Sequence, residues 1–228
     1  MADRGRTSHA WRAACGLVGP AAFTAAWLIG GWRQPRYPVA DEHISGLAAL
    51  DAEHPLSMIT GFVTLGACTV VFATELRRQL AAGGRRPGLG PVLLGLGGVA
   101  AVAAGFLRRD AFLLNPPGRA SGYQQSWHND GHDMAAGVIY VTSVVAPLLL
   151  ARRFRDDPAW APLVPAAIAS SGASVALMTV FATDVDRSFN GIVQRVMVTV
   201  PQAFMAVLAV RALRNQPAGA TARARPTR

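Results

Sequence analysis

Six apolar stretches, each close to the length that a lipid bilayer demands, constrain this chain more than any other feature. They cover residues 11–31, 56–76, 89–107, 131–151, 160–182 and 192–212. A hydrocarbon core about 30 Å thick is crossed by roughly 20 apolar residues in a helix. No stretch has a charge near its middle, and Glu75, His132, Asp133 and Arg195 fall near the ends. Backbone that faces lipid must satisfy its own hydrogen bonds, so the expected fold is all-α, a polytopic six-transmembrane-helix bundle. Composition points the same way: 51% of residues are hydrophobic and 15% charged, against about 25% charged in soluble domains. That excludes both an ordinary soluble enzyme and a disordered chain. The first stretch is too long for a secretory signal, lacks its small-residue cleavage pattern, and is read as retained.

The basic residues decide orientation. All 22 are Arg, and fifteen of them flank the even-numbered connections and the two ends of the chain. By the positive-inside rule both termini are cytoplasmic, and segments 32–55, 108–130 and 183–191 face outward. Arginines placed at span ends serve topology and anionic headgroups, so the net charge of +9 is read as a membrane signature with no nucleic-acid partner. Residues 1–10 and 215–228 are poor in apolar side chains. They are expected as a cytoplasmic tail and a disordered basic tail around one domain at 11–214.

Within the spans, Gly97, Ala101 and Gly105 form a small-residue stripe that admits a close helix neighbour, a route to a homo-oligomer. Pro147, Pro165 and Pro201 are expected to kink their helices. Trp27, Trp32, Trp127 and Trp160 are expected in aromatic belts. Cys15 and Cys68 both lie in apolar stretches and indicate no disulfide framework.

Nine of the 13 acids and four of the five His fall on the outward side, where chemistry is concentrated. In Ser126-Trp127-His128-Asn129-Asp130-Gly131-His132-Asp133, Ser126 is placed to cap a helix, which sets His128 and His132 one turn apart on one face. Two imidazoles at that spacing suit one metal ion, with Asp110 or a first-loop acid as a third ligand. The alternative is that the imidazoles only hydrogen-bond across the bundle. No HExxH pattern is present, so a zincin-type peptidase is not indicated. A second cluster is Asp41-Glu42-His43-Ile44-Ser45-Gly46. Neighbouring carboxylates raise one another's pKa and suit proton donation, whereas the plain reading has Asp41 or Ser45 capping a short helix. Third, Arg108, Arg109 and Asp110 face Asp184, Asp186 and Arg187. Arg195, close to hydrocarbon, is expected to meet one of these Asp residues or a lipid phosphate.

These residues carry a resemblance. Ile44-Ser45-Gly46-Leu47, Gly105 to Asp110, Pro116-Pro117-Gly118, Ser126-Trp127-His128 with His132, and Gln194-Arg195 stand in an order that resembles the DUF998 family of prokaryotic multi-pass membrane proteins. The resemblance runs from the first span to Arg214. It implies a six-helix bundle in the cell membrane, with Ser45, Asp110, His128, His132 and Arg195 at family-like positions, and implies no reaction.

The leading expectation is a membrane enzyme that takes a lipid or isoprenoid-like, hydrophobic small molecule into an outward-opening site. In one form His128, His132 and Asp110 hold a zinc-like divalent ion for hydrolysis. In another, an acid among Asp41, Glu42, Asp110 and Asp184 starts a metal-free terpene cyclisation. Ser45, Trp127 and Arg195 would contact substrate in either form. The alternative class is a non-enzymatic binding, transport-accessory or scaffold protein.

Overall fold

The computed structural model describes residues 2–113, 124–183 and 189–215, with side chains from His9 onward. Six long helices account for most of it: α1 (Ala2–Arg33), α2 (Pro55–Leu80), α3 (Gly90–Phe106), α4 (Trp127–Arg155), α5 (Val164–Thr183) and α6 (Asn190–Arg214). No strand occurs among the described residues. Five of the helices are long and apolar enough to cross a membrane, and α3, with 17 residues, is apolar but shorter. The chain is an all-α, multi-pass membrane protein.

Local sequence sets the helix limits. Proline in the first turn of α2 and α3 occupies positions whose N–H would have no helical acceptor. The turn between them holds Gly83, Gly84 and Gly88 at φ of 71°, 75° and 76°, where a side chain would be strained. Arg77 and Arg78, Arg152, Arg153 and Arg155, and Arg211 and Arg214 occupy the last turns of α2, α4 and α6. There they complement the negative pole of each helix dipole. In the segment expected as an N-terminal tail, the backbone continues α1 back to Ala2. His9 ties that extension down through an Nδ1 contact of 3.1 Å with Glu75.

Each helix packs against the next in chain order, and α6 returns to α1, so the six close into a ring. Glycine allows the tightest approaches. A Cβ on Gly66 of α2 would strike the carbonyl of Gly98 in α3, and one on Gly98 would lie 2.8 Å from the carbonyl of Gly66. The small-residue stripe of α3 is likewise covered inside the chain. A Cβ on Gly97 would stand 2.6 Å from Thr142 Oγ1 of α4, and one on Gly105 would meet Phe62 of α2 at 3.1 Å. The close helix neighbours that the stripe was expected to admit are thus α2 and α4 of the same chain.

At the arginine-rich end, Phe72, Leu76, Leu80, Leu150, Phe154, Trp160 and Leu208 form one core. Trp160 is only 2% exposed and stacks on Phe154 with ring centroids 5.3 Å apart. This corrects its expected place in an aromatic belt, because the bond from Trp160 N–H to the Asp157 carbonyl folds the connection back under the bundle. Trp32 and Trp127 are exposed at the opposite end. Glu75 is fully buried in the same region and accepts hydrogen bonds from Arg78 (2.5 and 2.9 Å) and Gln79 (2.9 Å). Pro147 and Pro201 lie inside helices, as does Pro20, but Pro165 sits in the first turn of α5, where it has no helical bond to remove.

Replacing Gly66 with Leu should therefore disrupt the contact of α2 with α3. The expected loss is about 3 kcal/mol or more, read as a fall in melting temperature of detergent-purified protein; a Tm equal to that of wild type would contradict this packing.

Candidate functional site

At the end of the ring opposite the arginine-rich core, residues 34–54 are pinned onto α6 by one guanidinium. Arg195, 9% exposed, donates from Nη1 to the carbonyls of Val39 (2.7 Å), Glu42 (3.1 Å) and Gly191 (2.7 Å). Its Nη2 donates to Tyr37 Oη at 2.8 Å. Tyr37 in turn directs its hydroxyl proton toward the carbonyls of Glu42 (3.2 Å) and His43 (2.9 Å). The rings of Trp27 and Tyr37 lie 5.5 and 5.6 Å from the guanidinium carbon, within cation–π range. Gly191 permits the approach, since a Cβ there would fall 2.5 to 2.7 Å from three carbonyl oxygens of the loop. Gln194, one residue before Arg195, accepts from Ile44 N–H at 2.8 Å.

A second set of bonds seats the α3–α4 connection on the same loop. Arg108 donates to the carbonyls of Ala48 (2.9 Å) and Ala49 (2.6 Å), and Leu50 N–H donates to the Arg109 carbonyl at 2.9 Å. Phe112 N–H donates to Asp51 at 2.7 Å, while Gly46 lies so close to the Phe112 carbonyl that a Cβ would collide with it. Asp110 accepts from Ser126 N–H at 2.9 Å and from its hydroxyl at 2.5 Å. Ser126 caps α4 as expected, its Oγ accepting from Asn129 N–H at 3.3 Å.

His132 performs a different task. Its Nδ1 lies 3.0 Å from the Ala104 carbonyl and 2.8 Å from that of Leu107, two of the carbonyls that the end of α3 leaves without helical donors. Both neighbours are acceptors only, so Nδ1 carries the proton. Nε2 has no hydrogen-bond partner among the described residues, and His132 lines an internal cavity.

That cavity, of about 140 Å³, runs down the centre of the ring. It is bounded by α1, α2, α3, α4 and α6 and by the 3-10 turn Ile44–Ala48. On α4 its lining extends from His132 to Leu150, about 27 Å along the helix axis. Near the pinned loop stand Ser45, His132, Tyr140 and Gln194; at the other end stand Leu94, Leu150, Phe204, Met205 and Leu208. Between them the hydroxyls of Thr69, Thr142 and Ser143 donate to carbonyls of their own helices, and Gln202 is the one amide at mid-depth. The cavity is therefore polar at one end and oily along the rest.

The residues singled out from sequence divide between this cavity and its frame. Ser45 lines the cavity from within the 3-10 turn; it is not a cap, because His43 stands at that position without a side-chain bond. Asp41, Glu42 and Asp110 are not among the lining residues. Arg195 meets three carbonyls and Tyr37, because the loop wraps around its guanidinium; of the partners expected for it, Asp184 and Asp186 lie outside the described residues. Trp127 is exposed and stacks on His128, their centroids 3.7 Å apart, so neither ring joins His132 in the lining. No group of three His, Cys, Asp or Glu side chains placed to hold one ion occurs among the described residues. Asp110 is committed to Ser126, and His132 to the end of α3. Sequence reading overlooked Tyr37 and Tyr140, and gave Gln194 only as part of the family-like Gln194-Arg195 motif; Tyr140 follows His132 by two helical turns on the same face, the signal that would have exposed it.

A match to a family model covers residues 17–211, over both the pinned loop and every helix that lines the cavity. The chain belongs to the DUF998 family. That family is described as one of proteins of unknown function. No curated protein and no solved structure matches the chain. For this DUF998 protein the site must therefore be read from its own geometry.

Two outcomes test the pinned loop. Arg195→Leu leaves four acceptors without their donor and should cost about 3 kcal/mol, with faster proteolysis of residues 34–54. Burial pushes the Tyr37 hydroxyl up to about 12 from its ordinary 10, against the opposing pull of Arg195. The folded state thus favours neutral tyrosine. Its contribution, about 3 kcal/mol, is complete below pH 10 and lost as pH rises toward 12. Tm measured across that interval should fall less steeply in Tyr37→Phe than in wild type.

Proposed function

We propose that this DUF998 protein sits in the cell membrane with six spans and both termini cytoplasmic, and binds a lipid or isoprenoid-like molecule in the cavity of its helix ring. The observation that carries this reading is the polarity of the cavity along its length. One end offers hydrogen-bonding groups at His132, Tyr140, Gln194 and Ser45, and the remainder is mostly apolar, with the Thr69, Thr142 and Ser143 hydroxyls bonded to their own helices and one amide, Gln202. That pattern complements an amphiphile with a small head and a single tail, and it follows the general form of ligand sites: an apolar wall with a few placed polar groups. Five helices of spanning length support the membrane setting. The shorter α3 completes the same ring and is taken as the sixth span. The distribution of arginines supports the orientation, with the pinned loop outward.

Among the chemical steps considered from sequence, this cavity favours binding, with His132 as the group able to accept a proton. The acids expected to start a cyclisation, Asp41, Glu42 and Asp110, stand in the frame of the loop and not in the lining. The same holds for the partner ligands proposed for a metal.

Photolabelling tests the reading. A hydrocarbon probe bearing a diazirine, added to full-length protein in nanodiscs, should label peptides that hold Leu150, Met205 and Leu208. Ala136→Phe, which fills the channel, should reduce that labelling about tenfold. Labelling confined to the outward positions Val141 and Val207, insensitive to Ala136→Phe, would overturn it.

A further inference from the structure

We infer that the molecule held in this cavity has an uncharged head that carries a hydroxyl, with His132 Nε2 as its acceptor, and is not a phosphate-bearing or other anionic lipid. The inference rests on the cavity reading above and narrows it to a chemical class. Three observations support it.

First, no Asp, Glu or Arg occurs among the described residues that line the cavity. A phosphate brought into this channel would lose its hydration without meeting a cation, at a cost that isolated buried charges do not recover. Second, Arg195 and Arg108, at the polar end, direct their Nη donors, and Arg108 its Nε, into the loop. Arg195 is spent on Val39, Glu42, Gly191 and Tyr37, and Arg108 on Ala48 and Ala49. Arg109 holds its Nη1 3.5 Å from His43 Nδ1. Third, the wall includes acceptors without a donor of their own. His132 has its proton fixed on Nδ1 by two carbonyls, which leaves the Nε2 lone pair for a donor. Pro147 and Pro201 remove the amide protons that would otherwise bond the carbonyls of Ser143 and Met197, both cavity-lining residues. Oxygen and nitrogen lone pairs repel an anion and receive a hydroxyl.

The test compares three probes with one tail: farnesol, farnesyl methyl ether and farnesyl phosphate, titrated as radiolabelled ligands against full-length protein in nanodiscs. Farnesol should bind at least about tenfold more tightly than either of the others, because the ether has no proton to give His132 and the phosphate has no cation to meet. His132→Phe should lower farnesol affinity to that of the ether. Should that variant fail to fold, through loss of the cap on α3, the wild-type comparison of alcohol with ether decides alone. Equal affinity for ether and alcohol would overturn the inference. Equal or tighter binding of the phosphate would overturn it too, while leaving the cavity reading intact. Failure of all three probes to bind, with hydrocarbon photolabelling also absent, would remove the cavity reading itself.

Discussion

A guanidinium held among carbonyl oxygens is the interaction on which this architecture turns. A ring of apolar helices has no inherent reason to be closed at either end, and the connection at 34–54 carries backbone groups that hydrocarbon would not tolerate unpaired. Arg195 resolves both problems together. It gathers carbonyls from Val39 and Glu42 and the hydroxyl of Tyr37 onto the first turns of α6. The connection that follows α1 is thereby joined to α6 by charge-assisted bonds at the place where the ring closes. Arginine suits this role because its planar fork supplies several fixed donors and is weakly hydrated for a cation.

The closed ring then explains the cavity. Small residues bring α2, α3 and α4 into close contact on one side, at Gly66, Gly98 and Gly97. Across the ring, α4 and α6 each carry an interior proline, and both prolines line the central space. Tight packing on one flank and interrupted helices on the other leave a channel along the axis. His132 links the two features, since its Nδ1 completes the end of α3 while the residue lines the channel. One ring thus both completes the end of α3 and lines the cavity.

The sequence was informative to different depths in different places. The helices were legible because each needs only a local run of apolar residues; the expected stretches fall within one to five residues of the observed helices apart from the extension of α1. The cap at Ser126 was legible because its acceptor lies three residues away. The family resemblance, resting on short motifs in order, was legible for a similar reason and is shown by the match over 17–211. The functional pairing was harder to see. His128 and His132 occupy one helical face, yet Trp127 captures one ring and the end of α3 captures the other. Likewise the acids of the first loop form a conspicuous cluster in sequence, while the residues that meet the cavity, Tyr140 and Gln194, are single polar positions in apolar runs.

By itself, then, the sequence determined that this protein is an all-α chain of membrane-spanning character, and which segments form its helices. Those properties depend on hydrophobic length and on charges at helix ends, which neighbouring residues fix. Tertiary structure alone decided that the helices close into a ring, that Arg195 gathers the carbonyls of the 34–54 loop, and that the small-residue stripe of α3 is covered from within. It also decided which polar groups face the cavity. Each of those outcomes depends on contacts between residues separated by much of the chain, as between Arg195 and Tyr37, and a local pattern carries no record of which distant partner will satisfy a given donor.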